Sequence, residues 1–487
     1  MIHGYGKKNK SEMLCYNIYM DIEARARRQS RRIIISEALM VLTVIATVSI
    51  LAFIVSGYWV GSDFKIERQG LIQIYSIPTG ADIEVDDAPS NWLQRTNTSK
   101  TLSAGEHTIK LSKEGYDTWS RTVNIAEGLL YRLHYPRLFL NNRYVETAFE
   151  SSANFATVSP DRNAMLLANN TTSWQLLNLD TDNIKPVDLD LSKVLPFTSR
   201  ADNASIGLFS GTIKAAEWAS DNEHVLLTLV QEGTTNWVLI NVKNPANSVN
   251  LTKDFNADFS EIKILDQSAS NLLVVLAGNL HRIDVPAKQI SAVILPKVRD
   301  FDFYEQTIVF SAKDTETSKY YIGLSRLGSN EVKRLEDDLD AAKEVLITKF
   351  YDDEYIGVIS DDNIVLHTKN NYETKATYNI SFKPEKNKVG NSGEAIIMYT
   401  GGNIATVDME ASDMFEWSTD TDQFGWLDGS MIYAVKDGTL HVYDFNGLNH
   451  RTLSTNVSSH FPVTITADKY LYYFRDGSLI REYLYEK

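Results

Sequence analysis

The sequence predicts a mostly β protein hung from one membrane-crossing helix, with a small β-sandwich followed by a β-propeller. Three observations predict it. The run from Ala38 to Val60 is 23 residues long and carries no charge, enough for a helix to cross a hydrocarbon core that takes ~20 residues. Residues 70–128 then alternate polar and apolar positions between glycine-bearing turns. From Gly233 to Gly477, hairpin turns recur with a mean spacing of about 41 residues, the length of one four-stranded propeller blade.

Taken in order, the chain opens with a basic tail (1–32) that leads into a transmembrane helix (33–60) and a linker (61–69). Buried in lipid, a helix satisfies its own backbone hydrogen bonds, which is why an apolar run of this length reads as a span. Lys7, Lys8, Lys10, Arg25, Arg27, Arg28, Arg31 and Arg32 precede it, whereas Asp63 and Glu67 offset Lys65 and Arg68 after it. Basic flanks stay in the cytoplasm, so the N-terminus is expected inside and everything beyond about Gly61 outside. Arg28, Arg31 and Arg32 are the expected inner flank, and Tyr58 and Trp59 the interfacial aromatic anchor. A cleaved signal peptide is the competing reading, but its apolar region is typically 7–15 residues. Met20 is an alternative start, because the stretch after it still supplies basic residues.

Composition narrows the partners. The net charge is −15; residues 1–60 contribute +4, leaving −19 on the outer part. Such an acidic body argues against nucleic acid and against adhesion to anionic lipid. The single cysteine, Cys15, precedes the apolar run, so the outer part has no disulfide and no thiolate zinc site. A cysteine-free exported body of this size fits a prokaryotic envelope.

Residues 70–130 form the first outer module. Leu71–Tyr75, Asp82–Asp86, His107–Leu111 and Trp119–Ile125 read as short strands, with turns at Pro78-Thr79-Gly80, Ala104-Gly105-Glu106 and Glu114-Gly115. Gly80, Gly105 and Gly115 supply positive φ at those turns. Tyr116 and Trp119 are expected in the core, and His107 in a structural role. The segment resembles the PEGA domain: Pro78-Thr79-Gly80-Ala81 stands where the family carries its four-residue signature, with Thr79 in place of Glu. The pattern "LSAGEHTIKLSKEGYDTW" downstream is similar too. Where the family has a short Gly-x-Thr-Pro hairpin, this chain has "APSNWLQRTNTSKT". The resemblance implies a surface or envelope protein with a binding role and brings no catalytic residues. Trp92, set among polar residues in that departure, is the candidate partner contact.

After a linker (131–142), residues 143–487 carry eight hairpin turns: Asn169-Asn170-Thr171, Glu232-Gly233, Gly278-Asn279, Asp314-Thr315, Asp361-Asp362-Asn363, Gly401-Gly402, Asp437-Gly438 and Asp476-Gly477. The longer first interval is expected to hold an inserted loop. Lead-ins such as Ser159-Pro160-Asp161, Trp218 with Ser220 and Asp221, and Trp426 with Asp428 supply turn-capping side chains. They resemble the Ser-Pro-Asp-Gly pattern of Tol-type and WD-repeat-like propellers. Eight blades are favoured, seven if the unit at 298–342 or 391–420 is miscounted, with an array of two-sheet sandwiches as the other arrangement. The last unit supplies three strands, and Arg143–Phe149 is placed to supply the fourth, which removes open edges.

Catalytic motifs are missing: there is no His-Glu-x-x-His, Gly-x-Ser-x-Gly or Gly-x-x-x-x-Gly-Lys. The nine histidines are scattered, none at metal-ligand spacing. Asp420-Thr421-Asp422 lacks the later Glu of a calcium loop and reads as a turn. No catalytic, cofactor or metal residue is assigned, and no cofactor is expected. The expected function is a single-pass, extracytoplasmic binding or scaffold protein of a prokaryotic cell envelope. One helix contacts membrane lipid, the propeller takes a protein or glycan partner, and nucleic acid is excluded. The alternative is a propeller-type glycan lyase or hydrolase with a carboxylate or His site at the central funnel, for which clustered Asp, Glu and His with perturbed pKa would be the mark.

Overall fold

In the computed structural model the described residues are 35–53, 58–60, 66–89, 95–169, 173–195, 197–198, 208–209, 211–329, 331–390 and 393–485. They fall into two compact units. The first takes residues 1–74, 97–107 and 122–134, the second 75–96, 108–121 and 135–487.

The first unit begins with helix α1, Ile35–Phe53, which is long and apolar enough to cross a membrane and has none of its apolar stretch covered by protein. An N-terminal helix of this kind serves as a membrane anchor or a signal sequence. Thr43 and Thr47 do not break its apolar character, because each hydroxyl donates to the carbonyl four residues back, Leu39 and Thr43, at 2.8 Å. The helix is shorter than the expected 33–60. Tyr58–Val60 instead form strand β1, paired antiparallel with β2 (Ile66–Ile74) through Tyr58↔Arg68 and Val60↔Ile66. An aromatic pair followed by valine suits a pleated strand better than a helix end.

Six more strands follow: β3 (Asp82–Val85), β4 (Ala88–Pro89), β5 (Thr98–Ser103), β6 (Gly105–Ser112), β7 (Trp119–Ile125) and β8 (Leu130–Leu133). In the first unit β2 pairs antiparallel with β5 and parallel with β8, burying Ile72, Ile74, Leu102 and Leu133. Gly70 is required there by close approach: a Cβ would stand 2.5 Å from the Ala126 carbonyl oxygen. His107 is structural as expected, its Nε2 2.9 Å from the Ser103 carbonyl. In the second unit β3 pairs with β4 and β6, placing buried Ile83 opposite buried Leu111. Trp119 is fully buried, whereas Tyr116 is half-buried. Gly80 and Gly115 take the expected positive φ of 77° and 82°.

The rest of the second unit is a series of four-stranded antiparallel meanders. Sheet 1 spans 155–190, sheet 2 212–250, sheet 3 259–290, sheet 4 298–339, sheet 5 344–379, sheet 6 386–418 and sheet 7 424–455. Sheet 8 spans 464–483 and takes its fourth strand from far upstream: β9 (Val145–Glu150) pairs antiparallel with Ser478–Tyr483, Leu479 opposite Phe149 and Arg481 opposite Glu146. Both doubtful units, at 298–342 and 391–420, are full sheets. The long first interval holds an extra hairpin, Phe197–Thr198 with Leu208–Phe209.

Most expected turns sit between the second and third strands of a sheet. Glu232-Gly233, Asp437-Gly438 and Asp476-Gly477 each place two successive residues at positive φ, the geometry whose twist matches a hairpin. One turn is displaced by a residue: Ala277-Gly278 turns, and Asn279 already pairs with Leu276. Asn170 and Thr171 lie outside the described residues. The lead-ins cap as expected. Asp221 accepts from the amides of Glu223 and His224 at 2.8 and 3.0 Å, and Asp428 from Ser430 and Met431 at 3.0 and 2.9 Å.

Each sheet shares a core with the next. Leu166 and Trp174 of sheet 1 cluster with Val225 and Leu227 of sheet 2. Leu226 joins Leu272 and Val274 of sheet 3, and Leu273 joins Phe301 and Phe310 of sheet 4. Val309 clusters with Ile347 and Ile356 of sheet 5, Leu346 with Ile396 and Met398 of sheet 6, and Ile397 with Ile432 of sheet 7. Val435 packs with Leu471 and Tyr473 of sheet 8, and Tyr472 and Phe474 return to Met165 and Leu177 of sheet 1. Successive residues of one middle strand thus feed opposite cores, as the two-residue period of a doubly covered strand requires.

Candidate functional site

The first strands of sheets 2 to 6 each carry charge. Glu217 stands on the first strand of sheet 2, Glu261 and Lys263 on that of sheet 3, Asp300 and Asp302 on that of sheet 4, Glu344 on that of sheet 5 and Lys388 on that of sheet 6. Residues two apart point the same way along a strand, so Glu261 with Lys263, and Asp300 with Asp302, share a face. Lys263 Nζ lies 3.4 Å from Asp302 Oδ1 and 3.8 Å from Glu261 Oε1, and donates to the Phe301 carbonyl at 2.6 Å. Asp300 and Asp302 accept from the amides of Val345 and Ile347 at 2.6 and 3.0 Å. Glu344 accepts from Asn387 at 3.0 Å. Carboxylates thereby stitch the first strands of sheets 4 and 5 together without a backbone ladder.

Titration follows from this crowding. Burial pushes the Asp300 carboxyl up to about 7, although the Val345 amide and Lys263 pull the other way. Burial also raises Glu261 and Glu217, against the pull of Lys263. Burial alone would lower Lys263, but Asp302, Glu261 and Asp300 outweigh it and hold the ammonium above its ordinary value. Lys388 is lowered by burial, with Glu217 opposing. Glu217 and Lys388 nonetheless keep solvent contact. Both facts hold together when a side chain reaches water inside a recess walled by protein.

That recess is a cavity of about 400 Å³, lined by the first strands of sheets 1, 2, 6 and 7 and by the residues leading into sheet 8. Its size suits a small ligand. Two indoles face it, Trp218 and Trp426; Trp218 is held by a 3.0 Å bond from Nε1 to Thr157 Oγ1. Four charged residues line it: Arg162, Glu217, Lys388 and Asp428. Arg162 is committed to the carbonyls of Ile465 (2.8 Å) and Asp428 (2.6 Å), and Asp428 to Arg137 (3.0 Å) and its own turn. Among the described residues, Glu217 and Lys388 have no hydrogen bond and no ion pair, only longer-range attractions: each for the other, and Glu217 for Lys263 as well.

A second set of charges is structural. Arg121 pairs with Asp408 at 2.7 Å, both side chains nearly fully buried. Trp119 Nε1 donates to Asp444 Oδ2 at 2.8 Å, and burial pushes Asp444 up to about 6 despite Asn449 and Arg451. Arg137 ties to Asp428 and Asp468. These pairs fasten residues 108–121 and 135–142 to sheets 6, 7 and 8 within the second unit.

None of the residues singled out from sequence lines the cavity, apart from the lead-in residues Ser159, Pro160, Trp218, Trp426 and Asp428. Trp92, Arg28, Arg31 and Arg32 lie outside the described residues, and Tyr58 and Trp59 lie in β1. Glu217 and Lys388 were missed; the only trace was a charged residue beside an aromatic or apolar lead-in. Two of the scattered histidines meet: His441 Nδ1 and His450 Nε2, nine residues apart, lie 2.9 Å from each other. Asp420 binds Lys436 at 3.1 Å, as a turn residue does. Among the described residues no group of three or more His, Cys, Asp or Glu is arranged to hold a metal ion.

No curated protein matches the chain. Among solved structures it is similar to the computationally designed Ika8 protein (11% identity, TM-score 0.40, covering 69% of this chain and 98% of that one). It is also similar to the dihydro-heme d1 dehydrogenase NirN (13%, 0.40, 62% and 66%). A third is PorZ, a bacterial surface component of the type-IX secretion system of Porphyromonas gingivalis (10%, 0.41, 68% and 42%). Likenesses this low identify neither a shared fold nor a shared activity. The domain family is clearer: residues 69–136 match the PEGA domain.

Proposed function

We propose that the chain is a membrane-anchored, extracytoplasmic binding protein of a prokaryotic cell envelope, in which the eight sheets close into an eight-bladed β-propeller. Helix α1 is its single anchor, and the cavity on the first strands receives the partner or ligand. The observation that carries the reading is the cyclic order of the shared cores, sheet 1 to sheet 8 and back to sheet 1, with β9 completing sheet 8. First strands of such a ring converge on its axis, which is where unpaired charge and exposed indoles gather. The PEGA match, the apolar helix and the basic residues preceding it support the anchored, outward-facing arrangement.

The test is site-specific photo-crosslinking in intact cells. A benzophenone amino acid replacing Trp426 in the cavity should trap a partner, and the same group replacing Lys333, on the exposed fourth strand of sheet 4, should not. Equal capture at both positions, or at Lys333 alone, overturns the reading.

A further inference from the structure

We propose that the cavity binds a compact zwitterion, a molecule carrying an ammonium and a carboxylate as a free amino acid or short peptide does, with Glu217 taking the ammonium and Lys388 the carboxylate. This deepens the binding reading above and rests on it.

The charges that line the cavity, and the carboxylate and lysine cluster beside them, can be taken one by one. Lys263 is satisfied by Asp302, Glu261 and the Phe301 carbonyl. Asp300 and Asp302 are satisfied by backbone amides, and Glu344 by Asn387. In the cavity itself, Arg162 and Asp428 are committed to structural bonds. Glu217 and Lys388 remain, of opposite sign, both lining the open volume and both in contact with solvent. They stand more than an ion-pair distance apart, so neither neutralises the other by contact.

A charge in a recess loses part of its hydration to the surrounding protein, and a partner of opposite sign replaces it. One ion of either sign would satisfy one wall and repel the other. A molecule bearing both signs satisfies both at once. The indoles of Trp218 and Trp426 supply flat apolar walls for its body, and an aromatic face also favours an ammonium. The cavity of about 400 Å³ admits a dipeptide-sized molecule.

The test uses the purified full chain in detergent and calorimetric titration with alanine, alanyl-alanine, N-acetyl-alanyl-alanine, alanyl-alanine amide and maltose. A zwitterionic probe should bind saturably. Capping either end should weaken binding roughly 10-fold or more, the loss of one charge-to-charge contact. In Glu217→Gln the free and N-acetylated peptides should bind alike, and in Lys388→Met the acid and the amide should bind alike. The comparison of capped and free probes on the unaltered chain needs no variant to fold. Equal binding of capped and free probes, binding of maltose alone, or no binding of any probe overturns the proposal. If the probes fail while the benzophenone at position 426 still traps a partner, the binding reading stands and the zwitterion falls; if both fail, both fall.

Discussion

The middle strand of sheet 5 and the first strands of sheets 2 and 6 obey different rules. On the middle strand of sheet 5, Tyr355–Ile359 are all buried, including Ile356 at 0% exposure. On the first strands of sheets 2 and 6, Glu217 and Lys388 are open to solvent and unpaired. Both kinds of strand pair antiparallel with their neighbours, although the first strand of sheet 2 shifts register between Ile213 and Ala215. The difference lies in what each face meets: neighbouring sheets on both sides for the middle strand, an open cavity for the first. Burial is concentrated on one and unpaired charge on the other.

The contrast can be broken by paired substitutions read by denaturant unfolding. Ile356→Ala should cost about 2–5 kcal/mol, because the methyl groups leave a void between sheets 4 and 5. Glu217→Gln should leave the midpoint unchanged, since no bond is lost. A large loss in the second and none in the first would reverse the assignment.

A smaller effect tests the tightness of the middle strands. A Cβ on Gly357 would stand 2.8 Å from Leu346 Cγ. Gly357→Ala should therefore destabilise by roughly 1–3 kcal/mol through overpacking, and Leu346→Ala in the same chain should recover part of the clash while adding its own void. Full additivity of the two would show that they do not touch.

The smallest effect sharpens the electrostatic side. Asp300 holds its proton more tightly folded than unfolded, its carboxyl being raised to about 7. The folded state thus binds more protons in the window from the ordinary carboxylate range up to about 7. The contribution is complete at the acid end and is lost as pH rises through about 7. Asp300→Asn keeps the bond from the Val345 amide and removes the titration. The variant should lose less stability than the unaltered chain between pH 5 and pH 8; an identical slope in both would mean that Asp300 does not titrate there.

How much of this the sequence held depended on the kind of signal. Apolar runs such as "VLLTLV" and "LLVVLA", closed by positive-φ turns, mark middle hairpins wherever they occur, so eight units and the role of Arg143–Phe149 were legible. The PEGA segment was legible from its glycines and aromatics. The helix end was not, because "YWV" is apolar enough to continue a span and β-prone enough to leave it. The cavity was not legible either. Glu217 and Lys388 are 171 positions apart, and nothing local distinguishes them from Glu223 or Lys383. Arg121 and Asp408 were silent for the same reason: a buried ion pair between distant strands has no spacing to read.

In the proposed ring, the series of sheets closes on itself through β9. Hydrogen exchange by mass spectrometry on the full chain tests it most directly. Closure predicts that the amides of residues 145–150 exchange slowly and in step with those of 478–483. Exchange of 145–150 at the rate of an unpaired segment, while 470–483 stays protected, would contradict it.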